Sequence, residues 1–382
     1  MRLGDCGKTN LHTYSDKEKW SLIRYLDTGS ITEGRIDEIQ TLYPGVDKIP
    51  SRARRKASVG DILFSTVRPN QKHYGIIEAG TENLLVSTGF TVVTVDTTIA
   101  DPYFIYYYLT QSSVIESLQA IAEQSTSTYP SIKPSDIEDI ELDLPELETQ
   151  KKIGSTLRML DRKIALNEEI NDNLHQQAAA LFSSLYDRSN TEVRFTDLIQ
   201  ILGGGTPKTG ENTYWNGNIA FFTPKDVGIP YTLITEKTIS KEGLSHCNSR
   251  LYPVNTVFVT ARGTVGKVGM SGVPMAMNQS CYALVGKETH QLLVYFYTLK
   301  AVDRLKHKAS GAVFDAITTR DFESEQIMKL SDDDATAFLR VAEPMFQEVL
   351  NNNIENLRLS TLRDSLLPKL MSGEIDVSAV QL

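Results

Sequence analysis

Two stretches of the chain repeat apolar residues at alternating spacings of three and four over several helical turns. Such a narrow apolar stripe is typical of a coiled-coil seam, whereas a helix that lies on a domain core has a broader apolar face. We therefore predict long helices over residues 146–190 and 331–382. The predicted seam positions are Ile153, Leu157, Leu160, Ile164 and Asn167 in the first helix and Phe338, Ala342, Met345, Val349 and Asn352 in the second.

Asn167 and Asn352 occupy equivalent seam positions, 185 residues apart. A polar residue in a seam costs stability but fixes register and partner choice. Pairing of the two helices with each other through these asparagines is a hypothesis. The alternative, that each helix is an ordinary amphipathic helix lying on its own domain, stays open.

Short β-rich runs precede each predicted helix and are punctuated by Gly and Pro, which indicates two globular portions at 1–145 and 191–330. The runs include "DILFSTV", "FTVVTV", "TVFVTA" and "CYALV". In each portion an aromatic run, "FIYYYL" or "LVYFYT", opens one shorter helix. These rings could stack on nucleic-acid bases, but we expect them to pack against a sheet, the usual place of aromatic side chains.

The two globular portions share a sequence repeat. Residues 59–70, "VGDILFSTVRPN", overlie residues 253–264, "PVNTVFVTARGT", at an offset of 194, which aligns Arg68 with Arg262. The aromatic runs match at an offset of 189, and "YPSIKPSDIE" matches "FDAITTRDFE" at an offset of 185. A shrinking offset is expected when loops differ in length while strands and helices persist. The chain is therefore predicted to be two similar units in tandem.

Charge is unevenly distributed along this chain of net charge −9. Residues 51–80 carry a net +4 and residues 241–270 a net +3, in both cases around the repeated strand that ends in Arg. Residues 135–148 hold seven carboxylates and no base. Focused positive charge is what a phosphate backbone selects, although a pair of solvated, salt-bridged surfaces is an equally open interpretation.

The sequence holds no complete catalytic or cofactor motif. "GGGTPKTG" has Pro before Lys where a Walker A loop needs Gly, and "RGTVGKVG" lacks the dinucleotide-binding spacing. There is no H-E-x-x-H motif, and the three cysteines have no zinc spacing. The chain also lacks the about 18 apolar residues that span a bilayer and has no secretory signal. We expect a cytoplasmic binding protein without a metal or a membrane segment.

Candidate binding residues lie on the loops at or after the repeated strands. Arg can contact guanine or clamp a phosphate, and Asn or Gln can read adenine. Each of these residues also has an ordinary interpretation as a surface charge or a turn former. The candidate DNA-binding residues are Arg68, Lys72 and His73 in the first portion and Thr206, Lys208, Arg262, Lys267, Asn278 and Gln279 in the second.

Several segments of the second half follow one another in an order typical of a known recognition domain. They are "GGGTPKTGENTYWNGNIAFFTPKDV", "ISKEGL", "LYPVNTVFVTARGTVGKVG" and "MNQSCYAL", followed by the helical tail "TLRDSLLPKLMSGEI". On these segments, and on "VGDILFSTVRPN" in the first half, the chain resembles the specificity (S) subunits of type I restriction–modification systems. Residues 1–50 lack the Gly-Thr-Pro and Tyr-Trp pattern, so the first recognition domain is a divergent type.

The resemblance implies an α+β fold with two pseudo-repeated α/β target recognition domains separated by two long antiparallel coiled-coil helices. It implies a non-catalytic subunit whose domains each bind one half of a bipartite double-stranded DNA target. The helices would set the spacer and dock two methyltransferase (M) subunits, which would bind S-adenosylmethionine and methylate adenine. This chain would itself bind no cofactor, and motor-nuclease (R) subunits would join the complex.

The leading alternative is a coiled-coil scaffold that binds only proteins. Ionic strength separates the two hypotheses, because the affinity of a DNA-binding protein falls steeply with added salt, whereas a scaffold binds no duplex at any salt concentration. A third hypothesis, an enzyme in its own right, is disfavoured by the missing motifs.

Overall fold

The computed structural model describes residues 1–125, 129–228, 230–308 and 316–377, so residues 314 and 315 of the third repeat segment lie outside it. Contacts divide the chain into two compact units. Unit 1 comprises Met1–Lys163 and Leu359–Leu382, and unit 2 comprises Ile164–Arg358. Each boundary falls inside a long helix, so each unit contains part of both long helices. Among the described residues, no helix combines the length and the apolar character needed to cross a bilayer.

Unit 1 is built from ten short strands and the helices around them. The strands are β1 (Gly7–Thr9), β2 (Ile23–Leu26), β3 (Ile31–Thr32), β4 (Arg35–Ile36), β5 (Gln40–Leu42), β6 (Ala53–Lys56), β7 (Ile62–Ser65), β8 (Tyr74–Ile76), β9 (Leu84–Ser87) and β10 (Phe90–Val95). The helices are α1 (Leu3–Cys6), α2 (Pro102–Leu109), α3 (Ser112–Glu123), α4 (Pro134–Glu138) and α5 (Leu147–Asp187), which continues into unit 2.

Unit 2 has a similar set of elements. The strands are β11 (Thr191–Arg194), β12 (Ile199–Gly203), β13 (Trp215–Phe222), β14 (Tyr231–Thr232), β15 (Lys237–Ile239), β16 (Val257–Thr260), β17 (Val268–Ser271), β18 (Met275–Met277), β19 (Cys281–Gly286) and β20 (Gln326–Lys329). The helices are α6 (Phe195–Leu198), α7 (Lys241–Ser245), α8 (Gln291–Lys308), α9 (Thr319–Ser324) and α10 (Asp332–Met371), which continues into unit 1.

The two units share one strand topology. Unit 1 has sheets of order β1-β10-β7-β8 and β5-β2-β9-β6, and unit 2 has sheets of order β12-β19-β16-β17-β14 and β15-β13-β18. Each unit includes an equivalent parallel pair, β2 with β9 and β13 with β18. Seven strands of unit 1 therefore correspond in chain order and pairing to seven strands of unit 2. This correspondence confirms the predicted α+β fold with two pseudo-repeated units.

The shorter helix that follows the aromatic run agrees with the prediction in unit 2 but not in unit 1. In unit 2 the aromatic run lies in the single helix α8, but in unit 1 the helix is divided into α2 and α3. The Thr110 hydroxyl donates to the Tyr107 carbonyl at 3.1 Å and Gln111 Nε2 donates to the Tyr108 carbonyl at 3.2 Å. Such local bonds compete with helix continuation. The rings of Tyr107 and its neighbour Phe104 are buried, as expected for packing against a core.

The helices α5 and α10 lie antiparallel in each unit. In unit 2 the end of α5 lies beside the start of α10, where Arg188 Nη2 is 2.5 Å from Asp334 Oδ1. In unit 1 Asp161 Oδ1 of α5 is 2.6 Å from Arg363 Nη1, near the end of α10. The predicted seam residues that are buried are Ile153, Leu157, Asn167, Phe338, Ala342, Val349 and Asn352, while Leu160, Ile164 and Met345 are half-buried.

An asparagine layer joins the two helices within unit 2. Asn167 Nδ2 donates to Asn356 Oδ1 at 2.8 Å, and Asn352 Nδ2 donates to Asn171 Oδ1 at 2.9 Å. Asn171 Nδ2 also donates to Asn353 Oδ1 at 2.9 Å. The Asn167–Asn356 and Asn352–Asn171 bonds are equivalent under the repeat, because Asn352 and Asn356 lie 185 residues after Asn167 and Asn171. The helix pair therefore has a local pseudo-twofold axis at this layer.

The two helices pair through these asparagines, but Asn167 and Asn352 do not bond to each other. In an antiparallel pair, equivalent positions face each other only at the centre of the crossing. That centre lies between Asn167 and Asn171. Asn167 therefore bonds to Asn356, the repeat equivalent of Asn171, and Asn352 bonds to Asn171 itself. A buried amide must find a partner or lose about 1–3 kcal/mol, and this register gives each seam asparagine one.

Both long helices also contribute to the cores of the units. In unit 2 the rings of Phe182, Phe338 and Phe346 surround Phe296 of α8, with centroids 5.1, 5.2 and 5.5 Å from it. In unit 1 the buried seam residues of α5 pack with α2 and with Leu370 of α10. The alternative interpretation is therefore correct in part, because each helix covers a domain core as well as pairing with the other helix.

A half-buried histidine lies inside the aromatic cluster of unit 2. His175 of α5 has its Nε2 3.0 Å from the Tyr295 hydroxyl, and its ring lies 5.9 Å from that of Phe346. Burial lowers the pKa of His175 from its ordinary value of 6.5, and nearby Asp172 opposes this shift. Desolvation thus favours the neutral imidazole.

Acid should therefore destabilise unit 2. Because the pKa of His175 is lower in the folded chain, the unfolded chain binds more protons, and stability falls as the pH drops below about 6.5. We expect His175→Gln to reduce this loss when the free energy of unfolding is measured by denaturant titration at about pH 7.5 and about pH 5.5. His307→Gln, which removes an exposed imidazole on α8, is the control. Equal pH dependence in all three proteins would contradict the prediction.

Candidate nucleic-acid interface

Four loops of unit 2 converge at one edge of its two sheets. The parallel strands β13 and β18 end together at Phe222 and Met277. The strands β12 and β16 are both antiparallel to β19 and end where β19 begins. The turn at 278–280 joins β18 to β19 and so brings the two sheets together at this edge. We call the segments 204–211, 223–226, 261–267 and 278–280 the unit 2 edge loops; they carry all six candidate DNA-binding residues of the second half.

The edge loop that carries Arg262 closes on the buried side chain of Thr260. Lys267 N donates to Thr260 Oγ1 at 2.9 Å, and the Thr260 hydroxyl donates to the Thr264 carbonyl. The backbone bond from Thr260 N to Lys267 O, 3.0 Å long, completes the closure. Since Thr260 is fully buried, water does not compete for these bonds. The loop thus follows one defined path and leaves the side chains of Arg262 and Lys267 exposed.

The glycine-rich loop packs against the turn that holds Asn278 and Gln279. A Cβ on Gly204 would lie 2.2 Å from the Asn278 carbonyl oxygen, so only glycine allows this approach. The Thr206 hydroxyl donates to Gln279 Oε1, and both residues are exposed. Close backbone approach, and not phosphate binding by a Walker loop, is therefore what the glycines serve here.

Asn278 and Lys208 have different environments at this edge. Asn278 is half-buried, and its Oδ1 accepts from Ser280 N at 3.0 Å, which is a turn-forming bond. Lys208 is exposed, and its carbonyl accepts from Trp215 Nε1 at 3.1 Å. The structure thus anchors the Lys208 backbone while leaving its ammonium in solvent.

The corresponding edge of unit 1 carries the loop after β7. Arg68 is exposed, with its guanidinium 5.3 Å from the centre of the Tyr129 ring. Lys72 forms an ion pair with Glu33. His73 is half-buried, and its Nδ1 is 2.7 Å from the Ile31 carbonyl. Arg68 and Lys72 are exposed and His73 is half-buried, and each of the three has a local partner.

The structure corrects the alignment of Arg68 with Arg262. Thr66 bonds to the backbone of Gly89 and Ile132, as Ala261 bonds to Ser280 and Ile317. Thr66 therefore aligns with Ala261, at an offset of 195 residues and not 194, because the unit 2 loop is one residue shorter.

In this register Arg262 occupies the place of Val67, and Arg68 occupies the place of Gly263. Arg68 and Gly263 both have a positive φ, of 48° and 81°. A left-handed conformation is uncommon for a residue other than Gly, so its recurrence at this point supports the shifted register. The two arginines lie on equivalent loops but at different positions.

Comparison with known families decides what these loops belong to. A family model described as the type I restriction modification DNA specificity domain matches the chain twice, over residues 53–176 and 188–329. The chain belongs to this family. One match begins in each repeat, so both halves of the chain carry a DNA specificity domain. The match gives no support to the alternative of a scaffold that lacks DNA recognition.

Relatives of this family match along the whole chain or part of it. The HindI specificity subunit of Haemophilus influenzae is 25% identical over 455 residues, covering 98% of each chain. The EcoR124I/EcoR124II specificity subunit of Escherichia coli is 30% identical over 152 residues, covering 37% of each chain. The solved S subunit of a type I restriction–modification system from M. genitalium shares the fold, with a TM-score of 0.60 at 16% identity over 97% of this chain and 95% of that chain.

Sequence reasoning missed Lys225 as a candidate of the edge. Thr223 N and its hydroxyl both donate to Asp226 Oδ2, at 2.8 and 2.6 Å, which holds the loop that presents Lys225. The Thr264 hydroxyl donates to the Pro224 carbonyl at 3.2 Å and so ties this loop to the Arg262 loop. The local sequence "TPKD" does carry a signal, since Thr and Asp three residues apart favour such a closed turn.

The thiol of Cys281, beside the unit 2 edge loops, is not set up to act as a nucleophile. Burial raises the pKa of Cys281 to about 12, so its thiol stays protonated at the start of β19. Among the residues that the structure describes, no group of three or more His, Cys, Asp or Glu side chains is arranged to hold a metal ion. The side chains that the edge loops present are of the kinds that bind DNA by hydrogen bonds and charge.

Replacing Arg262 with Ala should weaken binding to one half of the DNA target by about 1–3 kcal/mol if its guanidinium contacts a base. Thr260→Val, which keeps the shape but removes the loop-closing hydroxyl, should act in the same direction. Competition binding with duplexes that carry single base changes measures both effects.

The control is Lys287→Ala, which removes an exposed lysine beyond the opposite end of β19. An unchanged base preference in Arg262→Ala would show that Arg262 reads no base. An unchanged affinity, or an equal loss in Lys287→Ala, would remove Arg262 from the interface.

Proposed function

We propose that the chain is the non-catalytic specificity subunit of a type I restriction–modification complex. Unit 1 binds one half of a bipartite double-stranded DNA target, and unit 2 binds the other half. The observation that carries this proposal is the recurrence, in two units of one topology, of exposed cationic side chains on loops at the same sheet edge. Arg and Lys bind phosphates, and Arg, Asn and Gln also read base edges.

The two half-sites have different sequences in this proposal. Arg262 and Arg68 lie at different positions of equivalent loops, and the amides of Asn278 and Gln279 belong to unit 2 alone. Side chains at different positions meet different base pairs even when the loops approach the DNA alike. Each unit therefore reads its own sequence, and the target is not a palindrome.

The helices α5 and α10 set the number of base pairs between the half-sites. They have 41 and 40 residues, and a helix of that length extends about 60 Å at 1.5 Å per residue. One turn of B-DNA is about 34 Å long. The helices are thus long enough to span a spacer of about one turn of DNA.

The outer surfaces of the same helices dock two M subunits in this proposal. Leu166 and Ile170 of α5, one helical turn apart, are 53% and 44% exposed. The region 331–376 has nine carboxylates against four basic side chains, which disfavours contact with DNA and suits a protein partner. The M subunits hold S-adenosylmethionine and methylate adenine, this chain holds no cofactor, and R subunits complete the complex.

The spacer prediction can be tested by lengthening both helices together. A heptad inserted after Lys163 in α5 and a matched heptad after Leu359 in α10 preserve the pairing and the faces of both helices. Each adds about 10 Å, which corresponds to about three base pairs. Mapping of the methylated adenines should show both half-sites unchanged and a longer spacer.

The control inserts the heptad in α5 alone, so that the Asn167–Asn356 and Asp161–Arg363 pairs cannot both keep their register. This variant should lose stability without defining a new spacer. A doubly lengthened protein that still methylates targets with the original spacer would contradict the proposed role of the helices.

A further inference from the structure

A fifth segment of unit 2 reaches the same edge as the unit 2 edge loops. Tyr252 and Met275 bond to each other through both of their backbone groups, at 2.7 and 3.0 Å, so the chain before Tyr252 runs antiparallel to β18. Met277 N, at the end of β18, donates to Ser249 Oγ at 2.9 Å. Residues 246–250, which we call the 246–250 segment, therefore lie beside the turn that follows β18.

The glycine-rich edge loop packs against the 246–250 segment. Gly205 N donates to the Met277 carbonyl at 3.0 Å, and a Cβ on Gly205 would lie 2.7 Å from Asn248 N. Ser249 is buried, and its hydroxyl donates to the Arg250 carbonyl at 3.2 Å. These contacts fix the backbone of the segment, while the side chains of Asn248 and Arg250 on either side of Ser249 are exposed.

Reading an adenine in the major groove takes both ends of one side-chain amide. The amide oxygen accepts a hydrogen bond from adenine N6, and the amide nitrogen donates one to adenine N7. Of the two amides on the unit 2 edge loops, Asn278 has its Oδ1 bonded to Ser280 N at 3.0 Å, and Gln279 has its Oε1 bonded to the Thr206 hydroxyl. The oxygen of each amide is thus already held by the protein.

The Asn248 amide has a different environment. Within the part of the chain that the structure describes, neither its oxygen nor its nitrogen has a hydrogen-bond partner, and the Arg250 guanidinium forms no ion pair. Asn248 therefore presents an available acceptor and an available donor on a fixed backbone, which is the arrangement that adenine reading needs. Arg250 presents beside it a charge that suits a phosphate.

Unit 1 places a segment at the equivalent position. Its strand β6 is antiparallel to β9, the counterpart of β18, with Ala53 opposite Ser87. Thr88 N, just after β9, donates to the Arg52 carbonyl at 2.9 Å. Arg52 is exposed, and residues 46–52 contain no Asn or Gln. The position thus belongs to the edge of both units, with a cation there in unit 1 and both an amide and a cation in unit 2.

We propose that Asn248 reads an adenine in the half-site that unit 2 binds and that Arg250 contacts a nearby phosphate. Asn248 Oδ1 accepts a hydrogen bond from adenine N6, and Asn248 Nδ2 donates one to adenine N7. Arg250 holds the 246–250 segment against the DNA backbone. This inference rests on the proposed function and adds to it the base that one side chain of unit 2 determines.

Selection from a pool of randomised, unmethylated duplexes, followed by sequencing, gives the base preference of the full-length protein at every position. We expect Asn248→Ala to lose the preference for adenine at one position of one half-site, with a fall in affinity for that adenine of about 5- to 150-fold. Asn248→Asp keeps the shape and the oxygen but loses the donor, so its preference should shift toward cytosine, whose N4 donates to a carboxylate. Arg250→Ala should weaken binding to all sequences alike.

The matched control is Gln200→Ala, which removes an exposed amide away from the edge, where the start of β12 pairs with Val285 of β19. This variant should keep the base preference and the affinity of the parent protein.

The proposal is wrong if Asn248→Ala keeps every base preference, if it weakens binding to all sequences equally, if Gln200→Ala loses the same adenine, or if Arg250→Ala binds DNA as the parent protein does. A parent protein without any base preference would contradict the proposed function itself, and this inference with it.

Discussion

Strand direction is the constraint on which the recognition surface of each unit depends. In unit 2 a parallel pair, β13 with β18, and two strands antiparallel to β19 bring four strand ends to one edge. Residues far apart in sequence, such as Thr206 and Gln279, come into contact there. The buried Thr260 then fixes the loop that presents Arg262. Rigid strands thus hold the loops that present these side chains, an arrangement in which loop residues can change without a change of fold.

The helix pair depends on a different interaction, the asparagine layer of unit 2. Asn167 and Asn171 bond to Asn356 and Asn352 of α10. A register that set these buried amides against apolar residues would leave them without partners, whereas an apolar seam would tolerate such a slip. The layer therefore gives the pair a fixed register at some cost in stability. A fixed register is what a helix pair needs if its length is to set a distance along DNA.

The sequence was sufficient for the elements but not for their register. Apolar spacing predicted α5 and α10, because the period of a seam is local information. The partner of Asn167 could not be predicted, since it depends on where two helices cross. The shift between Arg68 and Arg262 was hidden because the ungapped alignment carries no information about loop closure. Lys225 was missed because the place of its loop is set by long-range parallel pairing, although "TPKD" marked the turn itself.

The central claim is that the two units read DNA independently of each other. Residues 191–330 can be replaced with the corresponding segment of another family member, and the methylated adenines can be mapped in cells that also supply the M subunit. The account predicts that one half of the target changes while the other half and the spacer stay the same. A change in both halves, or in neither, would contradict it.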